Sequence, residues 1–264
     1  MNHINNGPNH FFSNFLHRHL NRILLLSLSY LASMPSMADG HYRSGATKVS
    51  VVELYTSEGC SSCPPADRWL SELTQSDGLF ESVIPLAFHV DYWNDLGWRD
   101  EFSDAAYSSR QRRYQQLGHS KSVYTPGFIV DGQEWRGFFR RTKRNLPPSP
   151  NEDVGNLILS EMTDAYRVSF EPADAGLAEE HDLVVHIAYL GNGIRRQIKR
   201  GENAGKELTH DFVVLAMGQA TLSPQKNMLV GSINRAEIND ATAVAAWVSR
   251  SDDPTPIQAV AGWL

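Results

Sequence analysis

Cysteine is almost missing from this chain: among 264 residues only Cys60 and Cys63 occur. A framework of several disulfides is excluded, and with it a metal cage built on two cysteine pairs. Long apolar runs are missing too. The longest, Ile23 to Ala32, covers about ten residues, whereas a bilayer crossing takes about 20. Positive excess is absent: 24 Lys and Arg face 30 Asp and Glu, a net charge of −6. The basic clusters (Arg110, Arg112 and Arg113; Arg140, Arg141, Lys143 and Arg144) are local and read as solvated faces or loops, so the wide basic stripe that nucleic acid requires is not there. No Ser-His-Asp context, phosphate-cradling glycine loop or nucleotide motif occurs, and nothing calls for a cofactor. No repeat is visible.

What is present begins with an export signal. Met1 to Arg22 is polar and carries Arg18 and Arg22, the apolar run follows, and Ser36-Met37-Ala38 offers small residues for cleavage after Ala38. The mature chain is expected to be exported, periplasmic or secreted, with no membrane span after cleavage.

The rest is organised around Lys48 to Gln75. Lys48 to Tyr55 is rich in β-branched and aromatic residues and reads as a buried strand. Thr56 to Gly59 is turn chemistry, and Cys60-Ser-Ser-Cys63 follows. Ala66, Trp69, Leu70 and Leu73 then repeat at helical spacing. The prolines at 64 and 65 place the helix start at Pro64, since residues before proline avoid helical angles. Two thiols between a strand and a helix N-terminus suit a dithiol–disulfide switch. A structural staple is the competing reading. Closing so small a ring removes only about 2 kcal/mol of unfolded-state freedom, against about 3 for a fifteen-residue loop, which favours the redox role.

Val83 to Val90 is a second buried strand, parallel to the first, with Pro85 suggesting an edge position or bulge. Asp91 to Trp98 is an aromatic loop at its end. Glu101 to Leu117 reads as a helix with Phe102, Ala105, Ala106, Tyr114 and Leu117 inward and Arg110, Gln111 and Arg113 outward. Gly127 to Asp131 is a strand, Gly132 a hairpin turn, and Glu134 to Phe139 the returning strand. Ser149-Pro-Asn-Glu152 has the form of a capping box, and Val154, Leu157, Ile158, Met162 and Ala165 predict the helix it would open. From Tyr166 onward alternation takes over, with strands at 166–170, 183–190, 194–200, 208–217, 228–234, 243–250 and 256–263. The organisation expected is therefore a signal peptide (1–38), an α/β domain (39–165) and an all-β, sandwich-like domain (166–264).

The order strand, Cys-x-x-Cys, helix, strand, helix, Thr-Pro before a strand, hairpin and final helix resembles the thioredoxin superfamily. Val52-Glu-Leu-Tyr-Thr-Ser-Glu-Gly-Cys-Ser-Ser-Cys-Pro-Pro-Ala-Asp67, Phe88-His-Val-Asp-Tyr-Trp93, Leu96-Gly-Trp98, Val123-Tyr-Thr-Pro126 and Arg200-Gly-Glu-Asn203 resemble, more closely, a family of exported thioredoxin-like proteins of unassigned function. The fold implied is a thioredoxin-like α/β domain, a mixed sheet flanked by helices, followed by the all-β domain. The resemblance implies that Pro126 has a cis bond facing the disulfide, that Thr125 offers its backbone to an extended substrate, and that Glu53 is a buried acid near the pair, a candidate general base.

The expected function is an exported thiol–disulfide oxidoreductase acting on protein cysteines. Cys60 attacks, Cys63 resolves, Glu53 manages the proton, and Thr125, Pro126, Tyr92, Trp93 and Trp98 hold the substrate. Its partners would be a cysteine-containing protein and a redox-recycling partner. The alternative is a non-catalytic binding module for a peptide or metal ion with a structural disulfide. His89 and Asp91 share one strand face; Cys60, Cys63 and His89 could supply three ligands to a metal, but a hydrogen-bonded core histidine is the plainer reading.

Overall fold

Every side chain of Ser50–Thr56 and of Val83–His89 is buried, the pattern of strands covered on both faces. They are β2 and β3 of the chain, preceded by the short β1 (His41–Arg43). The structure is a computed structural model that describes residues 40–140 and 145–264. The expected leader and its cleavage site lie outside the described residues, as do Arg141, Lys143 and Arg144. Residues from Asp39 to Leu264 form one unit. Among the described residues no helix is long and apolar enough to cross a membrane.

Between β2 and β3 runs helix α1 (Pro64–Ser71), and after β3 comes α2 (Ala105–Gln116), capped by the Asp104 carboxylate on the Ala106 N–H. β4 (Gly127–Val130) pairs antiparallel with β2, and β5 (Gln133–Glu134) continues the hairpin for two residues only. The remainder is strand after strand: β6 (Gly155–Glu161), β7 (Ala165–Pro172), β8 (Leu183–Gly191), β9 (Ile194–Gln197), β10 (Glu207–His210), β11 (Val213–Thr221), β12 (Ser223–Gln225), β13 (Met228–Asn234), β14 (Ala241–Arg250) and β15 (Gln258–Trp263). They assemble into an eight-stranded sheet ordered β15-β14-β8-β11-β3-β2-β4-β5, a five-stranded sheet ordered β1-β6-β7-β13-β12, and the β9–β10 hairpin.

The expected fold class is corrected by this arrangement. Strands dominate, only two α-helices occur among the described residues, and the strands after residue 166 continue the large sheet that holds β2 and β3. The join is β11, which runs parallel to β3 at Val213 and Ala87 and antiparallel to β8 along its length. This is not a helix-flanked α/β domain followed by a separate sandwich.

The helix predicted after Ser149 is a second correction. Its apolar residues do fall at helical spacing, but Leu157 and Leu159 also alternate, and β6 buries that face while pairing with β7 from Gly155 to Glu161. Tertiary pairing overrides the local pattern. Gly155 seals the choice: its φ is +97°, and an added Cβ would lie 2.0 Å from the Glu171 carbonyl.

Pro85 is instructive. β3 lies inside the sheet, yet β11 reaches it only at Ala87, whose N–H donates to the Phe212 carbonyl. Alternate residues point their N–H groups the same way, so the missing donor of Pro85 falls where no ladder partner waits. The run expected at 208–217 breaks at Phe212, which adopts φ +57° and separates β10 from β11.

The large sheet has a core on each face. On one, Tyr55, Phe88, Tyr107, Tyr114 and Trp247 pack together under α2. On the other, Leu54, Ala87, Trp69, Leu70 and Phe128 pack under α1, and further along Val185, Ile187, Val244 and Ala246 meet the five-stranded sheet. α2 also departs from expectation. Arg110 and Gln111 are 8% and 3% exposed rather than outward. The β14–β15 connection covers that side: the Pro254 carbonyl accepts from Arg110 Nη2, and Asp252 O accepts from Arg113.

Candidate functional site

Where β2 ends, the chain turns tightly and presents the two cysteines. The Cys60 N–H donates to Ser57 O, and the Cys63 N–H to Cys60 O. Cys63 is the N-cap of α1, whose first residue is Pro64, and its carbonyl accepts from the Ala66 and Asp67 N–H groups. Cys60 and Cys63 are joined in a disulfide. Both residues are 0% exposed, while Ser61 and Ser62 between them face solvent.

A segment far along the sequence seals the pair. The β9–β10 connection turns at Gly201 and Gly205, both at positive φ, and reaches over the cysteine turn. Asn203, itself 0% exposed, donates through Nδ2 to Glu58 O and Cys60 O, both at 2.9 Å. Lys206 Nζ donates to Asn203 Oδ1 and holds the amide in that orientation. Glu202 accepts the Ser61 N–H at 3.0 Å, a bond that lowers its pKa. The side chain of Trp98 lies against Gly201.

Next to the turn, a group of charged side chains is buried. His89, at the end of β3, bonds through Nδ1 to Asp100 Oδ2 at 2.7 Å, both side chains 0% exposed. Burial alone would push the imidazole pKa down. The Asp100 carboxylate more than reverses this, so His89 is raised and Asp100 lowered. Asp100 also accepts the Glu58 and Phe102 N–H groups. Glu58, fully buried, accepts from Trp98 Nε1 at 2.7 Å and faces Arg196 and His210, each at 3.4 Å. Asp67, one turn into α1, accepts from the Thr56 hydroxyl. Burial raises its pKa, with His210 and His89 opposing. Nε2 of His89 and Nε2 of His210 are buried without a hydrogen-bond partner among the described residues. No group of three or more metal-ligating side chains is arranged for an ion among the described residues.

The sequence-predicted site residues divide. The Thr125–Pro126 bond is cis. Its loop is braced by the aromatic loop: Trp93 Nε1 donates to Thr125 Oγ1 at 2.8 Å, and Gln111, which accepts from the Tyr92 hydroxyl, donates to Tyr124 O. Thr125, Pro126, Ser62 and Pro65 line a groove of about 560 Å³. Tyr92, Trp93 and Trp98 do not line it: their polar tips brace the loops instead. Asp91, whose side chain accepts from Ser108, binds α2.

Glu53 stands on the opposite face of β2 from His89's side of the sheet. Its carboxylate accepts from Arg110 Nε and Nη2 at 2.9 and 2.7 Å and from the Tyr55 and Tyr114 hydroxyls at 2.7 Å each. Arg110 lies over the rings of Phe88, Tyr114 and Trp247. Burial and the Glu53 charge push both tyrosines well up, while the carboxylate outweighs burial at Arg110 and raises it. This network anchors α2 to β2.

Sequence reasoning missed Glu58, Asp67, Asp100, Asn203 and His210. Glu58, Asp67 and Asn203 sit inside motifs that could be seen, Thr-Ser-Glu-Gly-Cys, Pro-Pro-Ala-Asp and Arg-Gly-Glu-Asn. What no motif conveys is that residues 58 and 203 meet.

Solved structures share this fold. Protein AGR_C_4864 from Agrobacterium tumefaciens is 23% identical over 81% of this chain and 94% of its own, with a TM-score of 0.58. HBP35 of Porphyromonas gingivalis is 19% identical over 84% of this chain and 76% of its own, with a TM-score of 0.56. No curated protein matches the chain. The model of the family described as Protein of unknown function (DUF1223) matches residues 51–249, most of the chain, and the protein belongs to that family.

Proposed function

We propose that this protein is an exported thiol–disulfide oxidoreductase whose Cys60–Cys63 pair exchanges with cysteines of other proteins. The observation that carries the reading is the closed Cys60–Cys63 disulfide at the N-terminus of α1, beside a groove lined by the Thr125–Pro126 loop. In the reduced protein, the Cys60 thiolate attacks one sulfur of a substrate disulfide and expels the other as a thiolate. Cys63 then attacks Cys60 Sγ, the substrate's second sulfur leaves as a thiolate, and the Cys60–Cys63 bond closes. Two electrons pass to the substrate, and a dithiol partner returns them to the pair. The N-terminus of α1 favours a thiolate at its N-cap, Cys63, so this sulfur is the better leaving group when the recycling thiol attacks Cys60.

Sealing by Asn203 supports a stored rather than an open disulfide. Exchange in this reading requires the 201–205 turn to lift from the cysteine turn. Thr125, whose backbone bonds to no group among the described residues, pairs with the extended substrate. Glu53 is committed to Arg110, so proton handling falls to the His89, Asp100 and Asp67 group.

The complete burial of both sulfurs favours a second reading: a binding module in which the disulfide is a staple. Insulin reduction separates the two. With a dithiol as recycling reductant, the wild-type protein is expected to accelerate insulin precipitation and Cys60→Ser to abolish the acceleration. Equal rates for wild type and Cys60→Ser would refute exchange and leave the staple.

A further inference from the structure

The groove beside the disulfide is cationic, although the protein as a whole is acidic. Arg136 and Arg140 line it together with Ser62 and Pro65, and no Asp or Glu does. Arg136 is held over two rings, 5.8 Å from Tyr124 and 5.9 Å from Phe139, so its guanidinium is fixed in place before anything binds. Its side chain remains 59% exposed. Its one acidic neighbour among the described residues is Glu134, at 3.5 Å, and that oxygen already accepts the Tyr124 hydroxyl at 2.7 Å. Arg140 is exposed and has no acidic partner among the described residues. Two arginines are thus left with most of their N–H groups unused, on a floor made by Phe138 and Pro126, both buried.

From this we infer that the groove takes an extended acidic peptide segment of a partner protein, its carboxylates meeting Arg136 and Arg140 and its apolar side chains resting on the aromatic floor. Charge complementarity selects the occupant: an exposed guanidinium with N–H groups to spare donates two parallel hydrogen bonds to a carboxylate. The inference rests on the exchange reading only for what the segment carries, a cysteine close to acidic residues. The charge preference itself needs no cysteine.

The test uses the oxidised, full-length protein and fluorescein-labelled, cysteine-free decapeptides of alternating Glu and Tyr, Gln and Tyr, or Lys and Tyr, followed by fluorescence anisotropy. The Glu peptide is expected to bind about tenfold tighter than the Gln peptide, and the advantage to shrink as salt is added. The exposed double variant R136E/R140E is expected to reverse the order and favour the Lys peptide, with an unchanged circular dichroism spectrum. Equal binding of Glu and Gln peptides overturns the inference, as does a Glu preference that survives in R136E/R140E. Because these peptides carry no sulfur, failure of insulin reduction leaves this result standing, and failure here leaves exchange standing.

Discussion

Two buried clusters of charge lie on opposite faces of the β2–β3 pair, and they are built to different standards. Around Glu53, both carboxylate oxygens accept two hydrogen bonds each, from Arg110, Tyr55 and Tyr114. Around His89 the pairing is incomplete: Asp100 holds Nδ1, but among the described residues Nε2 has no hydrogen-bond partner, and Nε2 of His210 has only the Glu58 carboxylate at 3.4 Å. Buried polar groups left unsatisfied are costly. The contrast is between a saturated anchor at Glu53 and a less fully bonded charge cluster on the side that carries the disulfide.

The comparison breaks most visibly at Arg110. Arg110→Met strands the Glu53 carboxylate in the core, and a loss of about 3–5 kcal/mol in urea unfolding is expected. A loss below 1 kcal/mol would show that the network is not an anchor. Asn203→Ala, on the other side, removes the donor to Glu58 O and Cys60 O. It should cost about 1–3 kcal/mol and speed reduction of the disulfide by dithiothreitol, read as faster labelling of the released thiols. Unchanged labelling would mean that the 201–205 turn does not guard the pair. Glu202→Gln, changing an exposed carboxylate on that turn, should leave the unfolding midpoint unmoved.

Two buried histidines sharpen the contrast through pH. His186, stacked on Trp247, is pushed down to about 3 by burial and then by the Arg110 charge. It is neutral in the folded protein, so stability falls as pH drops from about 6.5 towards 3, by up to about 1.4 kcal/mol per pH unit. His89 has the opposite sign. Its raised folded pKa adds stability that is complete below about 6.5 and fades as pH rises through the folded value. Chemical unfolding across pH should therefore show His186→Gln flattening the acid limb and His89→Gln flattening the alkaline one. Identical profiles for both variants would end the distinction.

Much of this was readable before any coordinates. β2, β3, β8, β13 and β14 follow from runs of β-branched residues and alternation, and α1 starts at Pro64, although Cys63 before it already takes helical angles (φ −78°, ψ −39°). The cis bond at Pro126 came from resemblance, not from periodicity. What was illegible is non-local. A helical period at 154–165 lost to seven rungs of pairing with β7, and Arg110 looked solvent-facing because nothing in its own helix announces the β14–β15 hairpin above it. The join through β11 depends on one rung between Val213 and Ala87, too slight a feature to leave a pattern in the chain.

Cys60 and Asn203 are 143 residues apart, whereas the two cysteines are separated by three. During synthesis the sulfurs can meet and be oxidised while the cover for them has yet to be made. The ring can therefore close before its cover exists, and enclosing it waits on a segment made much later.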